Sequence, residues 1–298
     1  MLGAGASRPY GFPSGAELVE FIYTHTRSPG QQLVTLLGQC GFGYEQVTEF
    51  GRDLKLSGLP SIDSFLEHRK EFRDVGKAAI GAVLLPLENE SCFETSQYKA
   101  NNSPWYDYLV RHAGDLRRIA EKDLLSILTF NYDRSMDYFL YLHFRKAYGM
   151  NEEQASQYCS RISIIHLYGK LGELPHTDKE DGLAYGSPVD RRSIEQVTGN
   201  IKVMFEGESA TAAFEAGINQ LQNSEVICFL GFGYHPPNVT RLQFPEIGRQ
   251  KILVGSGFGI TESERNPIRT HFGKRLEMGQ GADDTLGFLR NSAVLHSI

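Results

Sequence analysis

Four short apolar runs, each closing on a polar or glycine-rich turn, constrain this chain more than any other feature. They are LLSILTFNYD at 124–133, RISIIHLYGKLG at 161–172, SEVICFLGFGYHPPN at 224–238 and QKILVGSGFG at 250–259. Their centres are rich in Ile, Leu and Val and do not alternate with polar residues. A strand with one wet face alternates, whereas a strand covered on both faces does not. The runs therefore predict an α/β fold: a Rossmann-like parallel sheet with helices on both faces. Polar residues gather at the carboxyl ends of the runs, the edge at which open α/β sheets bind ligands. Helical spacing appears between the runs, with Leu18, Phe21 and Ile22 in one segment and Phe214, Ile218 and Leu221 in another. RSMDYFLYLHFRKAYG, after the first run, also reads as a helix.

Between residues 30 and 122 the pattern changes to successive amphipathic helices. Ser61 and Ser64 offer caps there, and Pro104 suits a first helical turn. The expected organisation is a sheet domain from residues 1–29 and 123–298, interrupted by a helical subdomain at 30–122. Residues 173–200 are polar and turn-rich and read as a long surface segment suited to a lid. A formal net charge of −6 argues against a general nucleic-acid coat but leaves a local basic patch open. Cys40, Cys92, Cys159 and Cys228 form no CxxC pair, so a zinc ribbon and a disulfide framework both lack support. Free thiols fit a reducing cytoplasm. No signal-peptide pattern is seen, and no apolar run nears the roughly 20 residues that span a bilayer.

Five short stretches carry the chemistry. Gly3-Ala4-Gly5-Ala6-Ser7 would let backbone amides approach a diphosphate at a helix amino end, although Arg8 stands where the dinucleotide fingerprint has its third glycine. A plain structural turn explains the loop equally well. In TFNYD, Asn131 and Asp133 alternate off a strand end and point to one side. They could grip ribose hydroxyls, a nicotinamide amide or a water, and Asp133 also suits a helix cap. His166 ends the ISII run, where it could act as a general base or be a satisfied core histidine. Gly231 and Gly233, and then Gly255 and Gly257, follow strands and would let an adenine or ribose lie against backbone.

Taken in order, GAGAS, TFNYD, HLYGKLG and GFGYHPPN resemble the sirtuin family. With GFPSG and SIDSFLEHR they look closer to the sirtuin-like NAD hydrolase branch of bacterial anti-phage defence proteins. The resemblance implies cleavage of NAD⁺ to ADP-ribose and nicotinamide, with Asn131, Asp133 and His166 as catalytic residues. It implies that Gly3, Ala4, Gly5, Ser7 and Thr129 bind the dinucleotide's diphosphate and ribose side, and Gly231, Gly233, Gly255 and Gly257 its adenosine end. The paired zinc cysteines of the deacylases are missing, as are the Asp-Phe-Arg after the loop and the Gln of the strand end. These departures imply no zinc, doubt about a peptide site, and water as the attacking group. A deacylase or ADP-ribosyltransferase, or a module that only senses NAD or ADP-ribose, are the competing readings. The resemblance also implies control by homo-oligomerisation, by a phage trigger, or by a partner such as a HerA-type ATPase. Direct nucleic-acid binding stays open. RHAGDLRR at 111–118 could serve as a contact surface or be a solvated helix face. In sirtuins an apolar strand leads into the glycine loop, yet only Met1 and Leu2 precede it here. A lost central strand leaves two edges unpaired, so an incomplete amino end is expected.

Overall fold

A computed structural model of the chain describes residues 1–94, 102–203, 207–244, 246–247, 251–292 and 294–297. Gln250, which opens the fourth run, and residues 95–101 of the expected insertion lie outside the described residues. All four apolar runs contain strands. β1 (Ser126–Thr129) pairs in parallel with β2 (Ser163–His166). β3 (Val226–Phe229) pairs in parallel with β4 (Ile252–Gly255), and β4 with a further strand, β5 (Leu276–Met278). The result is a mixed α/β protein with two small parallel sheets flanked by helices. β5 has no sequence signal because its three residues, Leu-Glu-Met, are too few for a period and bury only Leu276.

The two sheets meet at the first residues of the chain. Leu2 N–H donates to the Leu128 carbonyl (2.7 Å), and the Leu2 carbonyl accepts from Phe130 N–H (3.1 Å). Met1 faces the other way: its carbonyl accepts from Leu230 N–H (2.9 Å), and its amine donates to the Cys228 carbonyl (2.6 Å). These are the bonds of a parallel ladder, and they put Met1 and Leu2 in strand positions between β1 and β3. The edges of Ser126–Leu128 and Val226–Cys228 flank a cavity of about 500 Å³, lined also by Met1, Trp105, Leu109, Leu221 and Leu295. The Met1 amine is buried at its end, and burial lowers its pKa from the ordinary value.

Helices α1 (Gly15–His25), α2 (Gln32–Gln39), α3 (Tyr44–Leu56), α4 (Ile62–His68) and α5 (Arg73–Leu84) follow the opening loop. α1 starts on a reciprocal cap, in which Ser14 Oγ accepts from Glu17 N–H (3.3 Å) and the Glu17 carboxylate from Ser14 N–H (2.7 Å). Ser61 caps α4 by accepting from Ser64 N–H (3.3 Å), as the sequence predicts. α6 (Tyr106–His112) and α7 (Leu116–Lys122) come next, and Pro104 lies ahead of α6 rather than in its first turn. α8 (Ser135–Ala147), α9 (Glu152–Arg161), α10 (Arg191–Asn200), α11 (Gly207–Asn223), α12 (Pro236–Arg241), α13 (Glu262–His271) and α14 (Thr285–Ser292) complete the chain.

α5 is buried along almost its whole length. Two glycines permit this: a Cβ at Gly76 would lie 2.6 Å from Leu66, and one at Gly81 would lie 2.9 Å from Val197. Val197 belongs to α10, so the 173–200 segment contributes a packed helix instead of a free lid. Its burial face is narrow, with Ile194 and Val197 set among polar residues, which hid it from the periodicity. The rest of that segment is fastened by Arg134. Its guanidinium pairs with Glu88 through two bonds (2.6 and 2.8 Å), with neither side chain exposed, and donates to the Leu183 carbonyl (2.6 Å).

Candidate active site at the carboxyl edge of the first sheet

Asn131 and Asp133 leave the end of β1 in alternation, and both are buried. Asn131 N–H donates to Thr129 Oγ1 (3.0 Å), which fixes the turn. The Asn131 amide Nδ2 donates to the Gly3 carbonyl (3.0 Å) and to Ser7 Oγ (2.9 Å), so the opening loop holds this side chain. Its Oδ1 is buried and has no hydrogen-bond partner among the described residues. Asp133 accepts from the hydroxyls of Ser7 and Ser135 and from Ser135 N–H (3.2 Å). The last bond shapes the turn that leads into α8, whose cap position is taken by Arg134. Burial raises its pKa, against the pull of these hydrogen bonds. Behind Ser135 stands the Tyr106 hydroxyl (2.7 Å), and Tyr10 Oη accepts the amides of Trp105 (2.8 Å) and Tyr106 (2.7 Å). Trp105 Nε1 donates to the Ala6 carbonyl (2.8 Å), which closes the ring of contacts onto the loop.

His166 ends β2 in register with Thr129. Its Nδ1 lies 2.9 Å from the Asn131 carbonyl and its Nε2 lies 3.0 Å from Asp137 Oδ2. A carbonyl can only accept, so Nδ1 carries a proton. Asp137 also meets Lys170 Nζ at 3.3 Å, and Lys170 pairs with Glu173 at 2.9 Å. Burial works to raise the Asp137 pKa, but His166 and Lys170 outweigh it and hold the carboxyl below the usual carboxylate range. Asp137 is absent from the sequence reading, although its position one helical turn beyond Asp133 was a usable signal.

The three expected catalytic residues are thus brought together, with Ser7, Tyr106 and Asp137, around a void of about 10 Å³. That is about the size of a single water site. Asn131 and Asp133 also face a second pocket of about 70 Å³, lined by Ala4, Phe12, Ser14, Asp63 and Tyr132. Small-molecule clefts usually span about 300–1,000 Å³. The trio is assembled, but the room around it is smaller than a dinucleotide.

α4 sets that size. Tyr132 Oη donates to the Asp63 carboxylate, and Glu67, one turn further along α4, pairs with Arg241 of α12. Arg241 Nη1 also donates to Tyr168 Oη (2.7 Å), whose hydroxyl donates to Asn238 Oδ1 (3.0 Å). Burial pushes the Asp63 pKa up to about 6, with the Tyr132 hydrogen bond opposing. SIDSFLEHR and TFNYD contain Asp63 and Tyr132, but neither residue has a role legible in the sequence, because their meeting depends on where α4 lands.

The glycine loop differs from the expected phosphate cradle. The amides of Gly3, Gly5, Ala6 and Ser7 donate to the carbonyls of Leu230 (3.0 Å), Gly231 (3.0 Å), Gly3 (2.9 Å) and Ala4 (3.2 Å). A Cβ at Gly3 would stand 2.6 Å from Gly231 O, and one at Gly231, where φ is +57°, would stand 2.0 Å from Ala6 N. These glycines let two backbone loops touch. Gly233 approaches the His235 ring, Gly255 the Tyr234 hydroxyl and Gly257 the Arg265 guanidinium. None of Gly231, Gly233, Gly255 and Gly257 lines the 70 Å³ pocket.

Among the described residues, no three His, Cys, Asp or Glu side chains are grouped to hold a metal ion, and no helix is long and apolar enough to cross a membrane. No family model, curated protein or solved structure matches this chain.

Proposed function

We propose that the chain is a Rossmann-like, sirtuin-like NAD⁺ hydrolase that cleaves the nicotinamide–ribose bond to give ADP-ribose and nicotinamide. The observation that carries the reading is the convergence of Asn131, Asp133 and His166, distant in sequence, on one buried polar cluster at a strand edge. The unpartnered Asn131 Oδ1 supports a polar ligand there, since buried acceptors are rarely left unmade. In the reaction, nicotinamide leaves C1′ with the bonding electron pair, and a water oxygen forms the new bond to that carbon. Asn131 orients the water or the ribose hydroxyls, and Asp133 faces the positive charge that develops on the sugar. Once substrate entry breaks the contact between Nε2 and Asp137, the Nε2 proton leaves to solvent, and the neutral ring, still donating from Nδ1 to the Asn131 carbonyl, accepts at Nε2 the proton released by the attacking water. Entry requires α4 to move away from Tyr132 and Arg241, so the compact pocket is the resting form. Such an activity depletes a cell of NAD⁺, which suits anti-phage defence and calls for control by oligomerisation or by a partner.

Incubation with NAD⁺ and chromatography of the products tests the reading. Free nicotinamide and ADP-ribose should appear in equal amounts. H166A and N131A should each reduce turnover by at least about a hundredfold with unchanged circular dichroism. NAD⁺ binding without product would instead assign a sensing module, and product with full activity in both variants would remove the catalytic assignment.

A further inference from the structure

Three carboxylates line the two neighbouring cavities, Asp63 and Asp133 the larger and Asp133 and Asp137 the smaller, and they differ in what they hold. Asp133 is bound by two serine hydroxyls, and Asp137 by His166 and Lys170. Asp63 stands on α4, across the pocket from the β1 edge, and the ligand it holds is a hydroxyl, that of Tyr132. Asn131, buried and with its Oδ1 unpartnered, lines the same pocket. A sugar placed between α4 and β1 therefore meets a carboxylate already shaped to accept from a hydroxyl, in a pocket that Asn131 also lines.

Resting on the NAD⁺ reading above, we propose that Asp63 is a specificity-determining residue that accepts a hydroxyl of the nicotinamide ribose, which replaces the Tyr132 hydroxyl when α4 opens. The charged and titratable groups that face Asp63 are Tyr132 from the β1 edge, Glu67 from its own helix, Arg241 from α12 and Tyr168 beyond β2. Arg241 favours the ionised form of Asp63, while burial and Glu67 favour the neutral one. Binding should therefore weaken as pH falls below about 6.

The test is calorimetric binding of NAD⁺, and of analogues lacking the 2′- or 3′-hydroxyl of the nicotinamide ribose, to the intact protein and two variants. The unaltered protein should prefer NAD⁺ over one of the analogues by roughly thirtyfold, as a lost hydrogen bond to a charged group implies. D63N, which keeps the shape of the side chain, should bind NAD⁺ about tenfold or more weakly, lose that preference and lose the decline below pH 6. Y132F removes the competing hydroxyl and should tighten NAD⁺ binding. An unaltered preference in D63N, or weaker binding by Y132F with its melting temperature intact, overturns the assignment. Failure of the unaltered protein to bind or cleave NAD⁺ would overturn the underlying reading instead.

Discussion

The cavity between β1 and β3 makes a quantitative claim about stability. Met1 and Leu2 already make ladder bonds to both neighbours, so the register of any added strand is fixed. A residue joined ahead of Met1 would bond the Ser126 carbonyl and Leu128 N–H, and the one before it the Val226 carbonyl and Cys228 N–H. Four extended residues span about 13 Å. Four Val or Ile side chains buried in the 500 Å³ space contribute roughly 6–12 kcal/mol. About five new backbone hydrogen bonds add about 5 kcal/mol. Ordering four residues costs roughly 6–12 kcal/mol. The net gain is about 5 kcal/mol, which for a chain of this length corresponds to a melting temperature higher by about 10 °C. The extension also turns the buried amine into a neutral amide, which removes the desolvation that depresses its pKa. The assay is scanning calorimetry of three chains: unextended, extended by Val-Ile-Ile-Val, and extended by Gly-Ser-Gly-Ser. The apolar extension alone should raise the melting temperature and resist aminopeptidase. Melting temperatures that agree within about 2 °C for all three chains would refute the strand-slot reasoning.

Two further substitutions probe the frame of the site. G231A should destabilise by about 3 kcal/mol in urea titration, because its Cβ has no place beside Ala6 N and its φ is left-handed; G114A, with the same φ sign but open space, should cost about 1 kcal/mol. E88Q should cost about 3 kcal/mol by stranding the buried Arg134 guanidinium, and the double variant E88M/R134M should recover much of that loss in the same measurement.

Runs dense in Ile, Leu and Val made β1 to β4 legible, since burial on both faces is written directly into composition. The convergence of Asn131 and His166 was legible for a related reason: one stands just past the end of β1, the other is the last residue of β2, and those strands pair with Thr129 opposite His166. β5 and α10 were hidden because one is too short and the other too polar to display a period. The close backbone contact of Gly3 and Gly5 with Gly231 was not legible either, because it depends on the distance between two loops far apart in sequence. Asp63 and Asp137 became site residues through tertiary placement, which local patterns do not encode.

The Arg134–Glu88 pair has a consequence for how the molecule opens. One guanidinium joins the loop after α5, the start of α8 and the 183–186 turn, and the Glu88 carboxylate accepts from Gly186 N–H (3.2 Å). A local excursion that lifted the turn away would leave that charge short of partners in a dry interior, at a cost close to that of global unfolding. The three stretches should behave as a single foldon, their amides exchanging with deuterium together and among the slowest of the chain.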